Sequence, residues 1–201
     1  MDQHTNKFTP KKDEVYREDW FPTSIFYIDH PTAEKTNSRL KKDIDKWHDR
    51  DTNGIVRSNS LGWHSAVDMH HRTEYNHFTK WLLTSIEKVF DSLNYEENSI
   101  AVCDNMWANI NKRYSHNRNH THPGALWSGV YYIQVPEDSG KIWFTDPRGE
   151  AHIIYASFKK DKPRPPSHMR EVYYKAIPGR LILFPGWLTH EVEPNLNKEF
   201  D

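Results

Sequence analysis

Apolar and polar positions divide the chain into two unlike halves. Between Thr73 and Leu93, the residues Phe78, Leu82, Ile86, Val89 and Leu93 recur at spacings of four, four, three and four, which predicts an amphipathic helix. An earlier helix is predicted where Leu40, Ile44 and Trp47 recur, with Thr32 as its cap and the turn residues Asp51-Thr52-Asn53-Gly54 closing it. Before it, the apolar run from Phe21 to Ile28 reads as a strand. After Asn94 the period falls to two. Short strands are predicted at Val102, Asn105–Ile110, Trp127–Val135, Lys141–Thr145, His152–Phe158, Glu171–Ala176 and Arg180–Phe184, separated by Pro, Gly, Asn and Asp turns. Helices first and closely spaced strands afterwards predict an antiparallel sandwich or barrel buttressed by helices on one face.

Length and composition narrow this picture. The 201 residues suffice for one domain with a full core and are short for two. The expected division is a flexible lead-in over 1–19, a strand and supporting helices over 20–95, and the strand-rich core over 96–201. Only 36% of residues are hydrophobic, but eight Trp, ten Tyr and nine Phe supply bulky core material. The net charge of −1 arises from 27 basic and 28 acidic residues spread along the chain, so neither nucleic acid nor an anionic membrane is an expected partner. Cys103 is the only cysteine, which excludes an internal disulfide and fits a reducing cytoplasm. No secretory signal is visible, and no apolar run approaches the roughly 20 residues that span a bilayer. Lys159 to Arg170 is a proline-rich basic segment, expected to be an exposed, mobile loop able to close over a larger substrate.

Two segments carry candidate chemistry. In Asn119-His120-Thr121-His122-Pro123, alternate residues of a strand share a face, so His120 and His122 can aim at one point. In the segment Pro178 to His190, a glycine turn leads into an apolar strand, a Pro-Gly break and then His190, which places that histidine at the mouth of a barrel. Each segment alone has a plainer explanation: two histidines in a polar turn, and a surface histidine at a strand end. His64, His70, His71 and His77 are expected to be solvated near the second helix. Trp63, Trp81, Trp107 and Trp127 are expected to pack between helix and sheet, and Cys103 to be a core thiol within a strand. No phosphate-binding Gly-Lys loop, serine-nucleophile elbow or paired-cysteine zinc motif occurs.

Taken together the segments resemble the 2-oxoglutarate/Fe(II)-dependent oxygenase superfamily. The resemblance rests on Trp107-Ala108-Asn109-Ile110-Asn111, His120-Thr121-His122-Pro123, Trp127-Ser128-Gly129-Val130-Tyr131-Tyr132, Phe144-Thr145-Asp146-Pro147-Arg148 and the stretch from Gly179 to Asn195. Phe21-Pro22-Thr23 and Leu61-Gly62-Trp63-His64-Ser65 extend it over most of the chain. It implies a mainly β, double-stranded β-helix (jelly-roll, cupin-like) buttressed by N-terminal helices. It also implies Fe(II), 2-oxoglutarate as co-substrate, and hydroxylation of a small molecule or protein side chain with release of succinate and CO2.

Residue by residue, the resemblance assigns His120 as the first metal ligand and His190 as the distal one. His122 stands where the superfamily usually has a carboxylate. The third ligand is then His122, which strand geometry favours, or Asp146, or water. A neutral imidazole there leaves an extra positive charge that a dianionic 2-oxoacid offsets. For co-substrate binding the candidates are Asn109, Ser128, Tyr132 and Arg148, the arginine serving the remote carboxylate or, equally, pairing with Asp146 in its turn, and Tyr132 having core packing as its plainer explanation. The superfamily arginine that commonly follows the distal histidine has no counterpart before Asp201, so Arg148 or Arg180 substitutes, or a C-terminal strand is missing and leaves an edge through which a homodimer could form. Two rivals stand beside this reading: a cupin-like three-histidine dioxygenase that does not use 2-oxoglutarate, and a non-catalytic jelly-roll binding module.

Overall fold

A computed structural model of the protein describes residues 12, 13, 15–154 and 156–199. The expected lead-in over 1–19 lies mostly outside them. The first strand, β1 (Phe26–Asp29), is shorter than predicted, because Phe21 takes a positive φ of 62° and is exposed. Helix α1 (Ala33–Arg50) buries Asn37, Leu40, Ile44 and Trp47 along one stripe. It begins after Thr32 as predicted, but the Thr32 hydroxyl caps nothing. Its backbone, at φ −127° and ψ 47°, lacks the extended conformation that aims a capping hydroxyl at the first turn.

Two short strands follow, β2 (Asn59–Ser60) and β3 (Trp63–His64). A single 3-10 turn over Thr73–Tyr75 then leads into α2 (Asn76–Ser92), which buries Phe78 and Val89 of the predicted stripe. The remaining strands are β4 (Asn109–Ile110), β5 (His116–His120), β6 (Trp127–Tyr131), β7 (Lys141–Thr145), β8 (Glu171–Lys175), β9 (Arg180–Pro185) and β10 (His190–Val192).

Three predicted strands are corrected. Val102 is exposed and lies in no strand, and Cys103 beside it is partly buried but likewise outside any strand. The Asn105–Ile110 strand reduces to β4 and one bridge from Met106 to Asp68. His152–Phe158 forms no strand among its described residues. A 3-10 turn covers Gly149–His152, and Ile153 and Ile154 are 74% and 88% exposed; Tyr155 lies outside the described residues. β7 already has β10 on one side and β8 on the other, so this intervening run has no place beside β7 despite its β-branched residues.

The strands form antiparallel sheets in the orders β1-β9-β6, β2-β5-β10-β7-β8 and β3-β4. The two larger sheets face each other. Ile142 and Phe144 of β7 pack with Ile182 and Phe184 of β9 and with Leu188 between them. Strand alternation turns Leu181 and Leu183 the other way, against Phe26, Ile28, Trp127, Tyr131 and the Val89 face of α2. β9 is thus buried on both faces, which explains its unbroken apolar run. A third cluster joins α1 through Leu40, Ile44 and Trp47 to Trp63, Tyr75 and Met106. The result is the predicted mainly β architecture with helices against one face. No helix among the described residues is long and apolar enough to cross a membrane.

Asn37 fastens α1 to the end of β6. Its Nδ2 donates to the carbonyls of Tyr132 and Ile133 at 3.3 and 2.9 Å, and its Oδ1 accepts from the Tyr131 hydroxyl at 2.7 Å. Truncation strands these partners in a partly buried position, where an unsatisfied group costs about 1–3 kcal/mol. Asn37→Ala is therefore expected to lower the urea unfolding free energy by about 2 kcal/mol. A loss below about 0.5 kcal/mol would show that the helix is held by its apolar stripe alone.

Candidate metal centre

β10 runs between β5 and β7, so His190 stands directly opposite His120 on one side and Phe144 on the other. The predicted placement of His122 on the same strand as His120 is corrected: β5 ends at His120, and His122 lies two residues beyond, in the following turn. Its position is set by backbone contacts instead. The His122 N–H donates to the Gly186 carbonyl at 2.8 Å, and the His122 carbonyl accepts from Ala125 N–H at 3.2 Å. Only a residue without a side chain allows this crossing, because a Cβ at Gly186 would overlap the Ala125 carbonyl and meet that of His122 at 3.0 Å.

The three imidazoles converge. Their ring centroids are 4.2 Å apart for His120–His190 and 5.0 Å for each of the other two pairs. Ligating atoms of all three lie within 4.8 Å of one another. Hydrogen bonding orients two of the rings. His190 Nδ1 is 2.8 Å from the Leu188 carbonyl and His120 Nδ1 is 2.6 Å from that of Arg118. A carbonyl accepts only, so each Nδ1 carries the proton and each Nε2 presents a lone pair. Ser58 Oγ, which accepts from Asn117 Nδ2 at 3.2 Å, stands 3.4 Å from His120 Nε2.

Burial keeps these rings neutral. It is the largest cause lowering His122 and His190 to about 4, with the neighbouring imidazoles adding to it, and it lowers His120 as well. Aromatic rings wall the cluster: Phe184 lies 4.6 Å and Phe144 6.0 Å from His190, and Trp107 lies 5.7 Å from His122. Three neutral nitrogen donors in a partly dry pocket suit a divalent first-row metal such as iron.

Asp146, the alternative carboxylate, is engaged elsewhere. Arg148 grips it through Nε and a terminal nitrogen at 3.0 and 2.8 Å, and His152 Nε2 lies 3.1 Å away. The guanidinium bond is the main reason its carboxyl is held down at about 2. Arg148 itself is half-exposed in this turn. Arg180, the other substitute, makes two 2.7 Å bonds to Asp29 at the start of β9, whereas the histidines lie near its end. No arginine or lysine is buried among the described residues. Ser128 pairs opposite Phe184, and alternation puts it on the inner face with Val130 and Tyr132, which pack on the inter-sheet core. Asn109 is exposed on β4, opposite His64.

His64 is a further correction. It is not solvated but only 3% exposed, with its ring stacked on Trp107 at 5.3 Å and 9°. Trp107 in turn touches His122, so it packs within the site rather than between helix and sheet. His71 and His77 are exposed as expected, and Trp63, Trp81 and Trp127 do pack in the helix-side clusters. The signal for His64 was its segment Leu61-Gly62-Trp63-His64-Ser65, whose apolar neighbours pair β3 with β4.

Comparison with known proteins agrees with this geometry. Residues 105–200 match the profile of a family described as "Putative 2OG-Fe(II) oxygenase". No curated protein matches the chain in sequence. A prolyl-4-hydroxylase from Pseudomonas putida superposes with a TM-score of 0.55 at 14% identity, covering 86% of this chain and 85% of that one. A prolyl hydroxylase from Trichoplax adhaerens, solved with a peptide fragment of the hypoxia inducible factor oxygen degradation domain, superposes with a TM-score of 0.55 at 13% identity, covering 85% and 77%. At such identities the likeness is one of fold, the double-stranded β-helix. Residues 105–200 thus resemble the 2-oxoglutarate/Fe(II) oxygenases in sequence, and the chain shares its fold with two prolyl hydroxylases.

The neutral rings fix how metal binding responds to pH. Protonation removes the ligating lone pair, and burial postpones it from the ordinary 6.5 to about 4 for His122 and His190. Affinity for Co(II), read by its visible spectrum, is expected to be level from pH 7 to about 5.5 and to fall below that. A decline already centred near 6.5 would mean that the rings are solvated.

Proposed function

We propose that the protein is an Fe(II)- and 2-oxoglutarate-dependent dioxygenase that hydroxylates a peptide or protein side chain, with His120, His122 and His190 as the metal ligands. The observation that carries this reading is the convergence of three neutral imidazoles within 4.8 Å, in a chain whose residues 105–200 match this oxygenase family. The peptide seated in the Trichoplax enzyme supports the substrate class.

When bound, Fe(II) and 2-oxoglutarate supply the oxidation: O2 and 2-oxoglutarate are consumed, succinate and CO2 are released, and one oxygen atom enters a substrate C–H bond. The protein's own residues bind and orient. The carbonyls of Leu188 and Arg118 hold the protons of His190 and His120 on the Nδ1 side, so that Nε2 faces the site. Trp107, Phe144 and Phe184 keep water from the histidines. On the inner face of β6 and its extension, the hydroxyls of Ser128 and Tyr132 are the donors we assign to the co-substrate carboxylates. Arg148 would serve the remote carboxylate only by leaving Asp146.

A second reading has one observation in its favour. A donor set of three imidazoles, with no buried arginine or lysine among the described residues, also suits a dioxygenase that uses O2 without 2-oxoglutarate.

Anaerobic Fe(II) loading followed by 2-oxoglutarate should raise a visible charge-transfer band, absent from His120→Ala and His190→Ala. Ser128→Ala and Tyr132→Phe are each expected to weaken 2-oxoglutarate binding about fivefold, the worth of one hydrogen bond. Arg148→Gln decides between the two assignments of the remote carboxylate, since only a liganding guanidinium is missed. Tight iron binding with no band at all would favour the three-histidine dioxygenase.

A further inference from the structure

The register places one long loop at the metal end of the molecule. Thr145 ends β7 one residue beyond Phe144, the partner of His190, and Thr145 N–H donates to the Thr189 carbonyl at 3.0 Å. β8 resumes at Glu171, opposite Thr145, so the described residues between 146 and 170 project from this end. Within the loop is a cavity of about 220 Å3 lined by Ala151, His152, Phe158, Arg164, Ser167, His168 and Arg170. Two guanidinium groups and two imidazoles line it, and no carboxylate does. The charge of the segment is just as uneven: 146–170 holds six Lys and Arg against three Asp and Glu, in a chain whose net charge is −1.

Two of the acidic groups near the cavity are already held, while Glu150 and Asp161 of the loop do not line it. Asp146 is bound by Arg148 and His152, and Asp19 by Arg17, whose other bond runs to Ser167 Oγ at 2.8 Å. Arg170 donates to the His152 carbonyl at 2.8 Å, which bridges the two sides of the loop. Arg164 lies with its guanidinium 4.9 Å from the Phe158 ring centre and forms no ion pair with a carboxylate among the described residues. His168 packs edge-on against the same ring at 5.3 Å, its Nδ1 3.1 Å from Ser167 Oγ. A guanidinium stacked on an aromatic ring is fixed in plane while its N–H edge stays available to a planar or tetrahedral anion.

Two large apolar side chains stand exposed at the same end of the molecule. Trp187 and Leu126, in the turns that flank β9 and β6, are 54% and 64% exposed. A chain with an anionic group in the cavity would have an apolar surface to follow towards the histidines, and alternating apolar and acidic positions are what a peptide offers.

We propose that the Arg164–Arg170 cavity is an exosite that anchors an anionic side chain, carboxylate or phosphate, of a peptide substrate whose reacting residue reaches the three-histidine centre. The inference rests on the dioxygenase reading for its substrate but not for its test, which measures binding without turnover. Three fluorescein-labelled peptides of one length are titrated by anisotropy: one with four Glu, one with the same positions as phosphoserine, and one with them as Gln. One of the anionic peptides is expected to bind at least about tenfold more tightly than the Gln peptide, and the tighter one identifies the anion. Arg164→Gln should remove most of that preference and Arg164→Lys should keep much of it; Arg164 is exposed, so neither change disturbs the core. His120→Ala should leave the preference intact, which separates this site from the metal centre. Equal binding of all three peptides, or an unchanged preference in Arg164→Gln, would overturn the proposal.

Discussion

The pairing of β10 with both β5 and β7 is the constraint from which the site follows. Without it His120 and His190, seventy residues apart in sequence, have no reason to meet. The ladder fixes them as direct neighbours across two strands, and Phe144 on the third strand closes the row. The hydrophobic packing of β7 against β9 holds the second sheet over this row, so the same contacts that stabilise the sandwich also exclude water from the rings. Neutrality of the histidines is thus a by-product of core packing.

Charge is kept away from the inner face by design of the surrounding pairs. Arg148 and Asp146 satisfy each other in the turn after β7, and Arg180 and Asp29 do so at the far end of β9. Neither guanidinium is left to compete for the metal's counter-charge, and neither carboxylate is left to compete for the metal. The pocket therefore offers nitrogen lone pairs and hydroxyls, and a dianionic co-substrate would bring most of the negative charge to it.

Much of the fold was legible because it obeys simple periods. The stripes of α1 and α2 and the strands β7, β8 and β9 have apolar residues spaced for their packing, and each was placed within a few residues. β5 was read from its histidines rather than from apolar period, and placed too late: His116-Asn117-Arg118-Asn119-His120 is polar throughout, and it is a strand because β2 and β10 flank it. The reverse error occurred at Ile153 and Ile154, whose strand-like composition met no partner. In the site, the histidine pair and the distal histidine were readable from their motifs, and the pairing of Arg148 with Asp146 two residues away is a local turn contact; burial of His64, by contrast, depends on its stacking against Trp107 from another strand region.

His122 lies outside every strand, tethered by one backbone bond to a glycine on the opposite turn. Scaffold and donor set are therefore separable at this one position. Exchanging imidazole for carboxylate there requires no register change in any sheet, so the charge of the donor set could be altered while the scaffold around it stays the same.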